Sequence, residues 1–302
     1  MSSLWRCLIG AIVLLFSAAG ARAQELEPGA YWPIPRGLSI VSAIGAINWG
    51  EVTFEPSLPV EEASARIGTT AVAFTHAFGM KRRSANVLVM VPFVGGHLKG
   101  RYLGEPTEVD RFGLADPKFK IGVNLYGAPS MTPAEFAKYQ HRLIVGVSFT
   151  TMAPLGNYDS ARLVNLGTNR WSFKPEVGVS RSYGPWVIEG MAGVWLFTDN
   201  DQFAGTRTRQ QDPIISLQAH FTRRFNRGTW LAADANYYRG GQTTIDDRQN
   251  IDFQNNSRIG ATFSRSLTSR HSMRASISRG AYTTIGASFT SLAVSYNYAW
   301  VR

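Results

Sequence analysis

From Arg170 to Ser180 the chain alternates: Trp171, Phe173, Pro175, Val177 and Val179 fall on one parity, and Arg170, Ser172, Lys174, Glu176, Gly178 and Ser180 on the other. Successive side chains of a strand point to opposite faces, so this segment has an apolar face and a charged one. Ser182 to Pro185 reads as a tight turn, and a second apolar strand runs from Trp186 to Thr198. The same period returns along the chain. Val72, Phe74, His76 and Phe78 oppose Ala71, Ala73, Thr75 and Ala77; Phe119, Ile121, Val123 and Leu125 oppose Lys118, Lys120 and Asn124. Ile215, Leu217, Ala219 and Phe221 oppose Ser216, Gln218, His220, Thr222 and Arg224. The final segment sets Leu292, Val294, Tyr296, Tyr298 and Trp300 against Ala293, Ser295, Asn297 and Ala299.

The pattern gives about twelve strands of roughly 10–14 residues, enough to cross a bilayer at a tilt. Soluble proteins, including the competing β-sandwich, use strands of about 5–6 residues. The apolar parity is almost free of charge, as lipid contact requires, because a cation at the bilayer midplane costs about 2–4 kcal/mol. Connections after strands two, six, eight and ten read as short, and those after one, three, five, seven and nine as long. That is the alternation of an outer-membrane barrel with both termini on the periplasmic side. The helix-bearing connection after strand four and the short one near Tyr282 break it. Thr132-Pro133-Ala134-Glu135 forms a capping box that starts one short helix, Pro133 to about Tyr139. The expected fold is all-β: a single closed antiparallel transmembrane β-barrel over residues 38–302. Gly50–Ala65 and Gly95–Arg111 read as polar loops, and Pro175 predicts a bulge because it lacks a ladder donor. Strands one and seven are apolar on both parities, and the facing of strand seven rests mostly on Glu189.

The N-terminus carries Arg6, an apolar run from Cys7 to Phe16, and Ala21-Arg22-Ala23. This is the layout of a cleaved signal peptide over residues 1–23. Gln24–Gly37, with Pro28, Pro33 and Pro35, then reads as a periplasmic lead-in. Cys7 is the one cysteine, so the mature chain has no disulfide and no thiol or cysteine–metal chemistry. Removing Arg6 and Arg22 leaves 29 cations against 21 acids. The cations are scattered singly, which fits lipopolysaccharide phosphates or an anion-attracting pore better than nucleic acid.

Several runs resemble a family of bacterial outer-membrane barrels described as meta-pathway phenol-degradation transporters or porin-like barrels. They are Gly113-Leu114-Ala115-Asp116-Pro117, Ala153–Tyr158, Leu163–Glu176, Trp195–Asn200, Tyr237–Gly241 and the last strand. The resemblance implies a barrel and passage of hydrophobic or aromatic compounds. The chain departs from the usual outer-membrane ending in that Val301 and Arg302 follow Trp300.

If the charged parity faces inward, the lumen lining includes Lys118, Lys120, Arg142, Arg170, Lys174, Glu176, Glu189, Trp195, His220, Arg224, Asp234, Tyr238, Arg258 and Arg274. Met191, Trp195 and Phe197 share one parity, either as a greasy slide or as barrel filling. The charges either favour anions or pair across strands and plug a narrow barrel. No G-x-S-x-G elbow or H-E-x-x-H pair is present and the five histidines are dispersed, so no catalytic, metal or cofactor site is expected. The reading is a monomeric channel for small solutes, with outer-membrane lipid, lipopolysaccharide and the barrel-assembly machinery as partners. An anion-preferring general porin is the first alternative, and a closed structural barrel or outer-membrane hydrolase the second.

Overall fold

The computed structural model describes residues 26–53, 60–162, 164–226 and 228–301; the expected signal peptide over residues 1–23 lies outside them. The chain forms β1 (Leu38–Thr53), β2 (Val60–Met80), β3 (Arg83–Tyr102), β4 (Glu105–Leu114) and β5 (Lys118–Tyr126). The helix α1 (Pro133–Phe136) follows, then β6 (Leu143–Met152), β7 (Ser172–Tyr183) and β8 (Trp186–Phe197). Next come β9 (Asn200–Phe203), β10 (Arg207–Gln211), β11 (Ile214–Asn226) and β12 (Thr229–Gly240). β13 (Thr243–Ile245), β14 (Arg248–Gln249), β15 (Gln254–Ser266), β16 (His271–Tyr282) and β17 (Gly286–Val301) complete the chain.

One antiparallel sheet runs β2-β1-β17-β16-β15-β12-β11-β8-β7-β6-β5-β3 and closes through β2–β3 pairing. β4 and β5 are two halves of one stave, broken at Pro117: β4 pairs with the outer part of β3 and β5 with its inner part. The barrel therefore has the twelve staves that the alternation predicts, and closure leaves no unpaired edge in lipid. The last strand takes part in closure: β17 pairs with β1 from Leu38↔Val301 to Thr53↔Gly286.

Faces follow the pattern. Val177, Val179, Ile188, Leu217, Phe221, Leu231, Phe263, Leu292 and Val294 point outward and are exposed. Lys174, Glu176, Gln218, His220 and Asp234 point inward and are buried. The ambiguous strands resolve too. β8 turns Glu189, Met191 and Trp195 inward and Ile188 and Leu196 outward. β1 turns Ala46, Asn48 and Val52 inward and Val41, Ile47 and Trp49 outward.

Three sequence expectations change. Gly95–Arg111 is no loop: β3 continues to Tyr102 and hairpins straight into β4. Within Gly50–Ala65 the described residues, 50–53 and 60–65, are strand in β1 and β2, and residues 54–59 lie outside the described ones. Pro175 makes no bulge. The β7–β8 register is the same on both sides of it, from Phe173↔Leu196 to Glu176↔Gly193, and the ladder skips the two residues between. Gly193 makes room there, since a Cβ on it would meet the Pro175 carbonyl at 2.9 Å.

Short turns at Lys81–Arg82, Gly184–Pro185 and Leu267–Arg270 share one end with Leu38 and Val301, which is the periplasmic end by the barrel rule. α1 lies at this end, capped by Thr132 and Glu135 as predicted. The other end carries the long loops. There β14-β13-β10-β9 form a separate four-stranded sheet, pinned by Asp246 accepting from Arg207 at 2.7 Å. That bond holds the Asp246 carboxyl below the usual carboxylate range.

Candidate functional site

The lumen has two unlike walls. β5 to β15 line it with charge and amide groups, while β1 to β3 line it with small and apolar side chains. On the second wall Ala65, Ile67, Ala71, Ala73 and Ala77 of β2 are buried inward, with Val94 and Leu98 of β3 and Ala46 and Val52 of β1. At the outer end this wall merges into an apolar cluster with Ala115, Ile285 and Phe289, capped by Val164 from the loop after β6. That loop is fastened by Asp116, whose carboxylate accepts from the Gly156 and Thr168 N–H groups at 3.0 and 2.8 Å and from the Thr168 hydroxyl at 2.6 Å. The Gly113–Pro117 and Ala153–Tyr158 runs noticed in the sequence therefore meet in space.

On the polar wall, Lys174 bridges to Glu176 at 2.8 Å and lies 5.4 Å from the Trp195 ring. His220 and Asp234 are opposite one another on β11 and β12, with Nδ1 and Oδ1 2.7 Å apart, and Thr262 donates to the other Asp234 oxygen at 2.6 Å. Arg258 is buried and donates to Ser278, Ser291 and the Phe289 carbonyl. Arg170 donates to Gln211 and stacks 4.7 Å from Phe197 near the outer mouth. The Tyr238 hydroxyl accepts from Asn236 at 3.2 Å. Arg274 is on the inward parity, opposite Ser264, with its guanidinium 5.1 Å over the Trp230 ring.

Two of the expected lining residues sit elsewhere. Arg142 precedes β6 and is exposed at the periplasmic rim. Arg224 is at the same rim, donating to the Ser182 hydroxyl and the Gly184 carbonyl at 3.1 and 2.9 Å. Strand parity extends to both, but the membrane-spanning part of the lumen ends before them.

The largest departure is the lead-in. Residues 27–32, expected in the periplasm, fold back into the barrel. Glu27 is gripped by Lys118 and Lys120 at 2.7 and 2.5 Å, and its N–H points to Gln218 at 3.4 Å. The Gly29 N–H donates to Glu189 at 3.0 Å. Tyr31 is buried, its hydroxyl 3.1 Å from both Ser148 and the Glu176 carboxylate. Its ring fills a slot two glycines wide: Gly146 and Gly178 face each other across β6 and β7, and a Cβ on either would meet the ring at 2.3 or 2.1 Å. Trp32 packs edge-on to His141 and Trp230 below it. These contacts fall on the polar wall. Periodicity cannot see a non-periodic segment; the paired inward glycines were the one available signal. Among the described residues, no group of three or more His, Cys, Asp or Glu is placed to hold a metal.

Comparison with known proteins agrees with this architecture. The family model described as "Putative MetA-pathway of phenol degradation" matches residues 58–298. The structure is similar to the COG4313 outer membrane channel from Pseudomonas putida F1, at 20% identity and a TM-score of 0.78, covering 91% of this chain and 100% of that one. It is less similar to the transport unit of the autotransporter AIDA-I from Escherichia coli, at 8% identity and a TM-score of 0.52, covering 94% and 95%. No curated protein matches by sequence. The chain belongs to the family that this model describes, and it is a closed twelve-stave β-barrel of the bacterial outer membrane.

Proposed function

We propose that the protein is a channel for small solutes with a hydrophobic or aromatic body and a polar group. The observation that carries this reading is the division of the lumen into an apolar wall on β1–β3 and an ionic wall on β5–β15. A general pore for hydrophilic solutes has no use for a strip of alanine, isoleucine and valine along its water-filled side. An amphipathic solute does, because its ring loses water against one wall while its polar group keeps partners on the other. The contacts of the lead-in fall on the ionic wall and not on the apolar one. The family's description in terms of phenol degradation points the same way.

The test is uptake in a Gram-negative host stripped of its general porins. An aromatic carboxylate should accumulate faster on expression of this protein than a sugar of similar size. Met90→Glu, placed beside Ala73 in the β2–β3 register, should slow the aromatic severalfold while leaving ionic conductance in planar bilayers in place. Equal rates for the two solutes, or rates no higher than those of the porin-less host, would overturn the reading.

A further inference from the structure

We propose that Arg181, Arg223 and Arg265 form a binding row for the phosphate headgroups of anionic phospholipids in the periplasmic leaflet around the barrel. The inference rests on the barrel's orientation and is independent of transport. All three continue the lipid-facing parity of their staves. Arg181 follows Val177 and Val179 on β7, Arg223 follows Leu217 and Phe221 on β11, and Arg265 follows Ile259 and Phe263 on β15; each is exposed.

Their heights agree. Arg181 is level with Ile188 on β8, which is level with Phe221 on β11, two residues before Arg223. Arg223 is level with Leu231 on β12, which is level with Phe263 on β15, two residues before Arg265. The offset is two residues per two staves at both steps, as a tilted barrel requires for positions at one depth. At about 4.8 Å per strand the three stand roughly 10 Å apart around the wall. They stand one outward position short of Tyr183, Phe225 and Leu267, which are exposed at the periplasmic end of the same parity. Aromatic rings hold the heads of two of them: Tyr183 lies 5.0 Å from the Arg181 guanidinium, and Trp186 and Phe225 lie 5.1 and 5.5 Å from that of Arg223.

No carboxylate answers this row. The described outward positions of β7, β8, β11, β12 and β15 carry no Asp or Glu, and none of the three arginines is in an ion pair among the described residues. The nearby rim adds exposed Lys81, Arg82, Arg83 and Arg270. Its one exposed acid among the described residues, Glu135, is occupied with the Thr132 cap. Acids gather at the opposite, outer end, in the loops around Glu105, Glu108, Asp159, Asp199 and Asp246. An uncompensated guanidinium at headgroup depth, held on an aromatic ring, has phosphate as its natural partner. The charge asymmetry selects the inner leaflet over lipopolysaccharide.

Native mass spectrometry of the full mature protein, folded in detergent with equal phosphatidylglycerol and phosphatidylethanolamine, tests this. Wild type should retain phosphatidylglycerol over phosphatidylethanolamine by about five-fold. Arg181→Gln/Arg223→Gln/Arg265→Gln should bring the ratio to near one. Arg239→Gln/Arg279→Gln, outward-facing toward the other end, should leave it unchanged. Heat-modifiable migration reports folding. Should the triple variant fail to fold, the three single variants are read instead, each expected to lower the ratio. Equal retention of the two lipids by wild type, a preference that survives the substitutions, or an equal loss in the control would overturn the proposal. So would full displacement of the lipid by inorganic phosphate, or selective loss of lipopolysaccharide binding in the triple variant.

Discussion

At the scale of single residues, the lumen depends on a few close fits. Tyr31 occupies its slot only because Gly146 and Gly178 carry no side chain, and its hydroxyl bridges Ser148 and Glu176. Removing the ring should loosen the whole inserted segment. Tyr31→Ala is expected to raise single-channel conductance in planar bilayers about two-fold or more, and Gly178→Ala to do the same by displacing the ring. The combination should add little to Tyr31→Ala alone, since effects routed through one contact are not additive. A fully additive pair would show that the two residues act separately. Asp234 is a different case, because it serves His220 and Thr262 at once with no exposed surface. Asp234→Ala leaves both partners buried and unpaired, a loss on the order of 3 kcal/mol, read as a lower urea midpoint for unfolding from lipid vesicles. An unchanged midpoint would mean that water in the lumen replaces the carboxylate.

At the scale of elements, the alternation made most staves legible, because lipid on one side and a polar interior on the other constrain both parities. Where the constraint lapses, so does the signal. In the β3–β4 hairpin the outward positions carry His97, Lys99 and Arg101 and three positions are glycine, so no apolar parity marks it, yet the backbones still pair from Phe93↔Leu114 to Tyr102↔Glu105. β8 was ambiguous because its lumen face carries Met191 and Trp195 beside Glu189, and apolar filling is indistinguishable from lipid contact by type alone. The small outer sheet was invisible for the opposite reason: its strands are two to five residues long and polar. The lipid face of β7 provides the direct check on this physics. Val177 is exposed at the middle of the band, and Val177→Arg should cost about 2–4 kcal/mol of folding free energy in vesicles. Gly190→Ala, also outward but with open space around it, should cost little. Similar costs for the two would contradict the assigned face.

At the scale of the whole molecule, the basic balance read from composition divides between the periplasmic rim and the lumen, where Arg258 donates to neutral partners. Many exposed cations sit on the periplasmic rim, while the inward lysines face carboxylates: Lys174 faces Glu176, and Lys118 and Lys120 share Glu27 of the inserted segment. The sequence could place those lysines inside but could not supply Glu27, since it lies about ninety residues away in a proline-rich stretch without period. This bears on the choice between an amphipathic-solute channel and an anion-preferring porin. With Glu27 in place, one carboxylate faces two ammonium groups and halves their net charge, which weakens the field that draws anions. Glu27→Gln keeps the shape of the segment and most of its hydrogen bonds while removing the negative charge from beside both lysines. The reversal potential in a potassium chloride gradient should therefore move toward chloride, and the move should vanish when Lys118→Ala and Lys120→Ala are added. A wild-type channel already strongly anion-selective, with no response to Glu27→Gln, would favour the porin reading and place its selectivity at the arginines of the mouth.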